Sequence, residues 1–97
     1  MTIDIWTPKL VRGVTDISGY CPPTVKSGWF WLEIVEGAED VARVEVYSQF
    51  ASEVSVFSPL PRYIPLGDGF PSRLYMSVIR GDRVYHLRFW SVRPIGG

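Results

Sequence analysis

The sequence has no asparagine, one glutamine, one cysteine and one histidine among its 97 residues. The single cysteine, Cys21, excludes an internal disulfide framework. A zinc site would need two carboxylates in addition to this cysteine and the single histidine, His86. Nucleophilic catalysis would need Cys21 and His86 to meet, and no local signature supports that pairing. We therefore expect no enzymatic activity, no metal and no cofactor.

Net charge and long hydrophobic runs are also missing. Ten acidic and ten basic residues give a formal net charge of zero, so the chain lacks the electrostatic footprint of a protein that binds the phosphate backbone. No run approaches the roughly 18 apolar residues of a membrane span. The N-terminal MTIDIWTPKL contains no basic segment followed by an apolar one, so no signal peptide is visible. We expect no nucleic-acid or membrane partner, and a cytoplasmic or virion location.

The low amide content and the excess of arginine bear on the source of the protein. Eight arginines stand against two lysines, with a single amide side chain in the whole chain. Few thermolabile amides are typical of heat-adapted proteins, although a GC-rich genome would produce much the same bias. We expect a thermophile or its virus as the source.

The chain is rich instead in apolar and aromatic residues arranged in short alternating runs. Hydrophobic residues make up 46% of the sequence and aromatic residues 14%, and apolar surface in excess of one small core favours an interface. Gly28–Val35 and Val41–Ser48, joined by a polar turn, are predicted to pair as strands. The stretch Ser72–Pro94 predicts a β-hairpin around Arg80-Gly81-Asp82.

These runs predict one all-β domain over residues 1–97, a small antiparallel β-sandwich or barrel with six or seven short strands. The expected architecture is Greek-key and immunoglobulin-like. Residues 1–9 are expected to form a short strand or an extended arm, and residues 93–97 a flexible tail. A helix over Ala38–Val54 is the alternative for that segment, although its valines and serines are poor helix formers. Ser58–Pro71 is expected to be a functional or interfacial loop, because it contains four prolines and two glycines.

Alternation assigns one face of each strand to the core and the other to solvent or a partner. The apolar side chains expected in the core are Phe30, Leu32, Ile34, Val44, Val46, Leu74, Met76, Val78, Tyr85, Leu87 and Phe89. The opposite faces carry aromatic residues among arginines, a combination enriched in interface hot spots. The predicted binding residues are Trp29, Trp31, Arg43, Tyr47, Arg73, Tyr75, His86, Arg88 and Trp90, with loop contacts from Arg62, Tyr63 and Phe70. The open alternative is that a second layer covers these aromatic residues as a small core of its own.

Two carboxylates on the same outward faces, Glu33 and Glu45, could form an acid pair for glycoside chemistry. Paired carboxylates on a sheet more often face arginines across the ladder. We therefore expect these two glutamates to pair with arginines.

The sequence predicts a non-catalytic structural or protein–protein interaction module. Its expected partner is a second copy of itself or another subunit of a larger assembly; a virion, decoration or filament-type component is one such setting. The first alternative is a carbohydrate-binding module that uses the aromatic sheet face to stack on sugar rings.

The C-terminal segment Tyr85–Gly97, YHLRFWSVRPIGG, resembles the tail of ubiquitin-like modifiers and sulfur carriers, in which a strand leads into a terminal Gly-Gly. The resemblance implies a β-grasp fold with a central helix, which would fall on Ala38–Val54. It also implies that Gly96-Gly97 threads an activating enzyme. A ubiquitin-like or sulfur-carrier protein is therefore the second alternative.

Overall fold

The computed structural model of the protein describes residues 2–20, 28–49 and 52–92. Strands dominate these residues and no α-helix occurs among them, which confirms the all-β prediction. The strands are β1 (Thr2–Trp6), β2 (Lys9–Leu10), β3 (Gly13–Asp16), β4 (Trp29–Glu36), β5 (Val41–Tyr47), β6 (Val54–Phe57), β7 (Tyr63–Asp68), β8 (Arg73–Val78), β9 (Arg83–Val84) and β10 (His86–Val92). The described residues thus contain ten strands where the sequence predicts six or seven. Two of the additional strands, β2 and β9, are only two residues long, too short to show an alternating pattern.

The strands form two four-stranded sheets and one short ladder. Sheet 1 has the order β1-β10-β4-β7, sheet 2 has the order β3-β8-β5-β6, and β2 pairs with β9. Every pairing is antiparallel, as predicted. Each four-stranded sheet keeps two unpaired edges within the described residues, so neither closes into a barrel.

The inner faces of the two sheets share one hydrophobic core. Ten of the eleven side chains predicted to lie inside are buried in it, and the eleventh, Ile34, is partly buried against it. The remaining members of the core, which complete its edges and ends, are Leu10, Ile17, Val41, Ile64, Leu66 and Phe70. The period of two along each strand was therefore enough to identify which side chains are buried.

The predicted strand pairs are wrong, although the strands themselves exist. Strand β4 pairs with β10 and β7, whereas β5 pairs with β8 and β6, so the two predicted neighbours lie in different sheets. The arms of the predicted hairpin, β8 and β10, are also in different sheets. Among the long strands described, β5 and β6 are the one consecutive pair that shares a sheet. The helix over Ala38–Val54 is wrong as well, because a short 3-10 turn at Ala38–Asp40 leads directly into β5.

The predicted loop Ser58–Pro71 is wrong in its central part, which forms the edge strand β7 of sheet 1. Ile64 and Leu66 are buried, while Tyr63 and Pro65 are exposed, so this segment alternates like the other strands. An edge strand tolerates proline because part of its backbone pairs with no neighbour. Its prolines and glycines concealed an alternation that was present in the sequence.

Two predictions concern residues that the structure does not describe. The position of Cys21 falls in the segment 21–27, and the predicted flexible tail is residues 93–97. At the other end of the chain, the predicted strand or arm of residues 1–9 contains β1, which pairs along its whole length with β10. No helix of the described residues is both long enough and apolar enough to span a membrane.

Two of the connections between the sheets contact each other. The first corner, Gly37 and the 3-10 turn, joins β4 to β5, and the second, residues 79–85, joins β8 to β10. The backbone N–H of Ile79 donates to the carbonyl of Asp40 at 2.7 Å. Gly37 has a φ of 92°, and a Cβ added there would overlap the ring of Tyr85. Glycine at this position therefore satisfies both the left-handed backbone and the close approach of an aromatic ring.

Asp40 is fully buried and holds the two corners together through its carboxylate. Its Oδ2 accepts a hydrogen bond from the Tyr85 hydroxyl at 3.2 Å and lies 2.8 Å from Nε of Arg83. Its Oδ1 has no hydrogen-bond partner in the part of the chain that the structure describes, but lies 3.7 Å from Nε of Arg80. Arg83 also pairs with Glu39 at 2.5 Å. A buried carboxylate is tolerated because it is paired and hydrogen-bonded in this way.

Replacing Arg83 with methionine should destabilise the fold by about 2 kcal/mol. This is less than the roughly 3–5 kcal/mol typical of a buried pair that loses one partner, because Arg83 is partly exposed and Arg80 remains close to Asp40. Adding Asp40→Asn should recover part of the loss, since no buried charge then lacks its partner. Urea unfolding of the two single variants and the double variant measures this coupling.

The exposed Arg12 provides the matched control, and Arg12→Met should change the unfolding free energy by less than about 0.5 kcal/mol. An Arg83→Met variant as stable as Arg12→Met would contradict the assigned role of the pair.

Alkaline pH should weaken the fold through Tyr85. Burial, and next the negative charge of Asp40, raise the pKa of Tyr85 above its usual value. Because the folded-state pKa is the higher one, the unfolded chain loses this proton first, and the unfolding free energy falls as pH rises above about 10. Tyr85→Phe should show a shallower fall over that range, measured by urea unfolding from pH 8 to 11 relative to each protein at pH 8. Equal slopes for wild type and variant would exclude Tyr85 as the responsible group.

Candidate interaction surface

The outward face of sheet 1 exposes apolar and aromatic side chains from all four of its strands. We call it the outer apolar face; its members are Ile3, Ile5, Trp29, Trp31, Tyr63, Pro65, Trp90 and Val92. One row crosses the whole sheet, because Ile3 pairs with Trp90, Trp90 with Trp31, and Trp31 with Pro65. Side chains directly opposite each other on antiparallel strands are in contact distance. The face is therefore a continuous surface.

Strand β1 is turned with its isoleucines toward solvent. Ile3 is 49% exposed and Ile5 52% exposed, whereas Asp4 and Trp6 between and after them are half-buried. The Tyr20 hydroxyl donates a hydrogen bond to Asp4, and the Tyr20 ring stacks on Trp6 with centroids 4.6 Å apart. Tyr20 thus compensates the inward aspartate and fixes the orientation of the strand. The predicted binding residues did not include these isoleucines, because sequence reasoning assigned residues 1–9 to a strand or arm without choosing which of its faces is exposed.

The charges on the outer apolar face centre on one carboxylate, which pairs closely with Arg88 and lies farther from the exposed Arg62. Glu33 is buried, and its carboxylate lies 2.9 Å from Nη1 of Arg88 and 3.8 Å from Nε of Arg62. The Arg88 guanidinium also lies over the ring of Trp90, 5.5 Å from its centroid, a cation–π contact. No charge at the centre of this face therefore needs an oppositely charged partner.

A recess opens in the outer apolar face between β4, β7 and β10. It is lined by Trp31, Tyr63, Trp90 and Val92 and has a volume of about 340 Å³. The rings of Tyr63 and Trp90 stand nearly perpendicular, at 80° with centroids 6.3 Å apart, and form two of its walls. An apolar side chain is the occupant that these walls favour.

Four of the predicted binding residues lie on the outward face of the other sheet. Arg43, Tyr47, Arg73 and Tyr75 belong to β5 and β8 of sheet 2. The Tyr47 and Tyr75 rings meet edge to face at 5.6 Å. Burial, and next the charge of Glu45, raise the pKa of Tyr47. The predicted binding residues therefore do not share one sheet: they divide between the outward faces of sheet 1 and sheet 2, because β4 and β10 lie in one sheet and β5 and β8 in the other.

The same division separates Glu33 from Glu45. Glu45 lies on sheet 2, 2.7 Å from Nη2 of Arg43, while Glu33 faces arginines on sheet 1. The two carboxylates do not form an acid pair, and each has the arginine partner that was expected.

The remaining predicted residues have three different environments. Tyr63 is an exposed member of the outer apolar face, and Arg62 is exposed at its edge. Phe70, predicted as a loop contact, is instead a core residue, with its ring 5.8 Å from Phe30 and 5.7 Å from Phe89. His86 is half-buried at the start of β10, opposite Glu36, and its Nε2 has no hydrogen-bond partner among the described residues.

No group of three or more histidine, cysteine, aspartate or glutamate side chains in residues 2–20, 28–49 and 52–92 could hold a metal ion. Comparisons of the chain with protein-family models, curated proteins and solved structures found no match. Any functional assignment therefore depends on the geometry described above.

Replacing Phe70 with alanine should destabilise the protein by about 3 kcal/mol, as expected for truncating an aromatic residue in the core. Phe70 is only 8% exposed and contacts two other aromatic rings. Arg62→Ala, at a side chain that is 81% exposed, should change the unfolding free energy by less than about 0.5 kcal/mol. Thermal or urea unfolding separates the two, and equal small effects would contradict the core position of Phe70.

Proposed function

We propose that the protein is a non-catalytic interaction module that associates with itself through the outer apolar face, as a subunit of a larger assembly. A virion, decoration or filament-type component is one such setting. The observation that carries this proposal is the exposure of Ile3, Ile5, Trp29 and Tyr63 on one continuous sheet face, at 49%, 52%, 52% and 42%. Contiguous apolar surface of this kind on a soluble protein marks an interaction site.

The composition of this face favours a protein partner. Tryptophan, tyrosine and arginine are the residues enriched in interface hot spots, because they bury large areas and keep polar groups at their ends. The outer apolar face has Trp29, Trp31 and Trp90 on its two central strands, with Tyr63 and Arg62 at the β7 edge. Isoleucines on β1 extend it to the side of the sheet opposite β7.

The two alternatives have less support. A flat platform for a sugar ring requires aromatic rings that are nearly parallel, whereas Tyr63 and Trp90 stand at 80° to each other. A ubiquitin-like or sulfur-carrier fold requires a helix over Ala38–Val54, and this segment begins with the 3-10 turn and β5. The terminal Gly96-Gly97 lies outside the described residues.

We also infer that the two four-stranded sheets pack as a sandwich of the jelly-roll type, a two-sheet arrangement of eight strands built from two Greek keys. The orders β1-β10-β4-β7 and β3-β8-β5-β6, with all but one connection between long strands crossing from sheet to sheet, support this topology. So does the single core that both inner faces share. Jelly rolls occur in viral capsids and in lectins, so the fold by itself does not choose a function.

Ile3→Thr/Ile5→Thr tests the proposal, because threonine keeps the β-propensity of the edge strand while removing apolar surface. Wild type should form a concentration-dependent oligomer in light scattering across a dilution series. The dissociation constant of the double variant should be about tenfold higher than that of wild type or more, since four side chains of a dimer lose apolar contact.

Val54→Thr/Val56→Thr is the matched control, since these valines are 42% and 45% exposed on β6, an edge strand of sheet 2. This control should associate like wild type. A wild-type protein that stays monomeric at every concentration would overturn self-association. If both double variants weaken association equally, the outer apolar face is not the site of association.

A further inference from the structure

A projecting tryptophan lies directly beside the recess of the outer apolar face. Trp29 is 52% exposed and does not line the recess, but it pairs across the ladder with Val92, which does. It also precedes Trp31, another lining residue, by two positions on β4, a separation of roughly 7 Å along the strand. The same face therefore carries an exposed indole, that of Trp29, and an apolar recess side by side. We call this indole the projection.

A twofold axis can relate two copies of this face so that they match each other. The axis lies in the plane of the face, midway between the projection and the recess and perpendicular to the line that joins them. The projection of each copy then faces the recess of the other. Interfaces of this kind are self-complementary, since a contact from one residue to a second is repeated in reverse. We propose that Trp29 of each copy inserts into the Trp31–Tyr63–Trp90–Val92 recess of a second copy. This inference rests on the proposed self-association and specifies its geometry.

Charge and chemistry favour a second copy as the occupant. The carboxylate of Glu33 is paired with Arg88 at 2.9 Å, so the ion pair at the centre of each face is neutral; the second arginine, Arg62, is 81% exposed and stays in solvent at the edge. The formal net charge of the chain is zero, so two copies do not repel each other over long range. The recess walls are aromatic and aliphatic, which suits an indole rather than a charged ligand. Central tryptophans seated in pockets are frequent hot spots of binding.

Two variants disable the two halves of the contact separately. Trp29→Ala deletes the projection and leaves the recess intact, while Val92→Arg fills the recess and leaves Trp29 in place. The dissociation constant for self-association should be at least roughly 30-fold higher for each variant than for wild type, as expected for a hot-spot residue. An equimolar mixture restores one intact insertion, from Trp29 of one variant into the open recess of the other. Sedimentation velocity should therefore show a heterodimer at concentrations where either variant alone is monomeric.

The outcomes separate this inference from the proposed function. Suppose that the wild type forms a dimer. If the variants associate as well as wild type, or if weakened variants show no rescue on mixing, reciprocal insertion is overturned and self-association still holds. A wild type that is monomeric throughout overturns both. Urea unfolding first checks that each variant folds cooperatively. If Val92→Arg does not, Tyr63→Lys replaces it, since Tyr63 lines the same recess from the exposed edge strand β7.

Discussion

The buried carboxylate of Asp40 is the interaction on which the arrangement of the two sheets depends. It joins the corner between β4 and β5 to the corner between β8 and β10 through Arg83 and the Tyr85 hydroxyl. Each corner carries the chain from one sheet to the other, so the cluster ties the two crossings together. Replacing a buried ion pair with apolar groups often costs little stability, whereas removing one partner alone leaves a buried charge unpaired.

The outward faces of the two sheets follow from that path and differ in character. Sheet 2 presents an ion pair between Arg43 and Glu45 and a tyrosine pair, Tyr47 with Tyr75. Sheet 1 presents indoles and isoleucines around charges that are already paired. Because all but one of the connections between long strands cross from sheet to sheet, the predicted binding residues were divided between the two sheets, and the aromatic residues of sheet 1 were brought together from distant parts of the chain.

Alternation in the sequence predicted which side chains are buried, since a period of two is a local property that survives any choice of neighbour. It could not predict which strands pair, because the turns after β4 and β8 suit a hairpin as well as a crossing. In the structure the two crossings are joined by the contact of Asp40 with Arg83, a long-range interaction that no local pattern displays. The orientation of β1 depends likewise on Tyr20 holding Asp4. The position of Phe70 in the core depends on Phe30 and Phe89, and nothing in the prolines around it indicated those partners.

Gly37 and Tyr85 are far apart in sequence, but the space at one position limits the residue at the other. A side chain at residue 37 would occupy the space of the Tyr85 ring, so this overlap is relieved only when residue 85 is smaller. A smaller residue 85 also removes the hydroxyl group that donates to Asp40 and leaves a cavity in the core. It does not remove the strain of a side chain at the positive φ of residue 37, so a change at either position, or at both, costs stability.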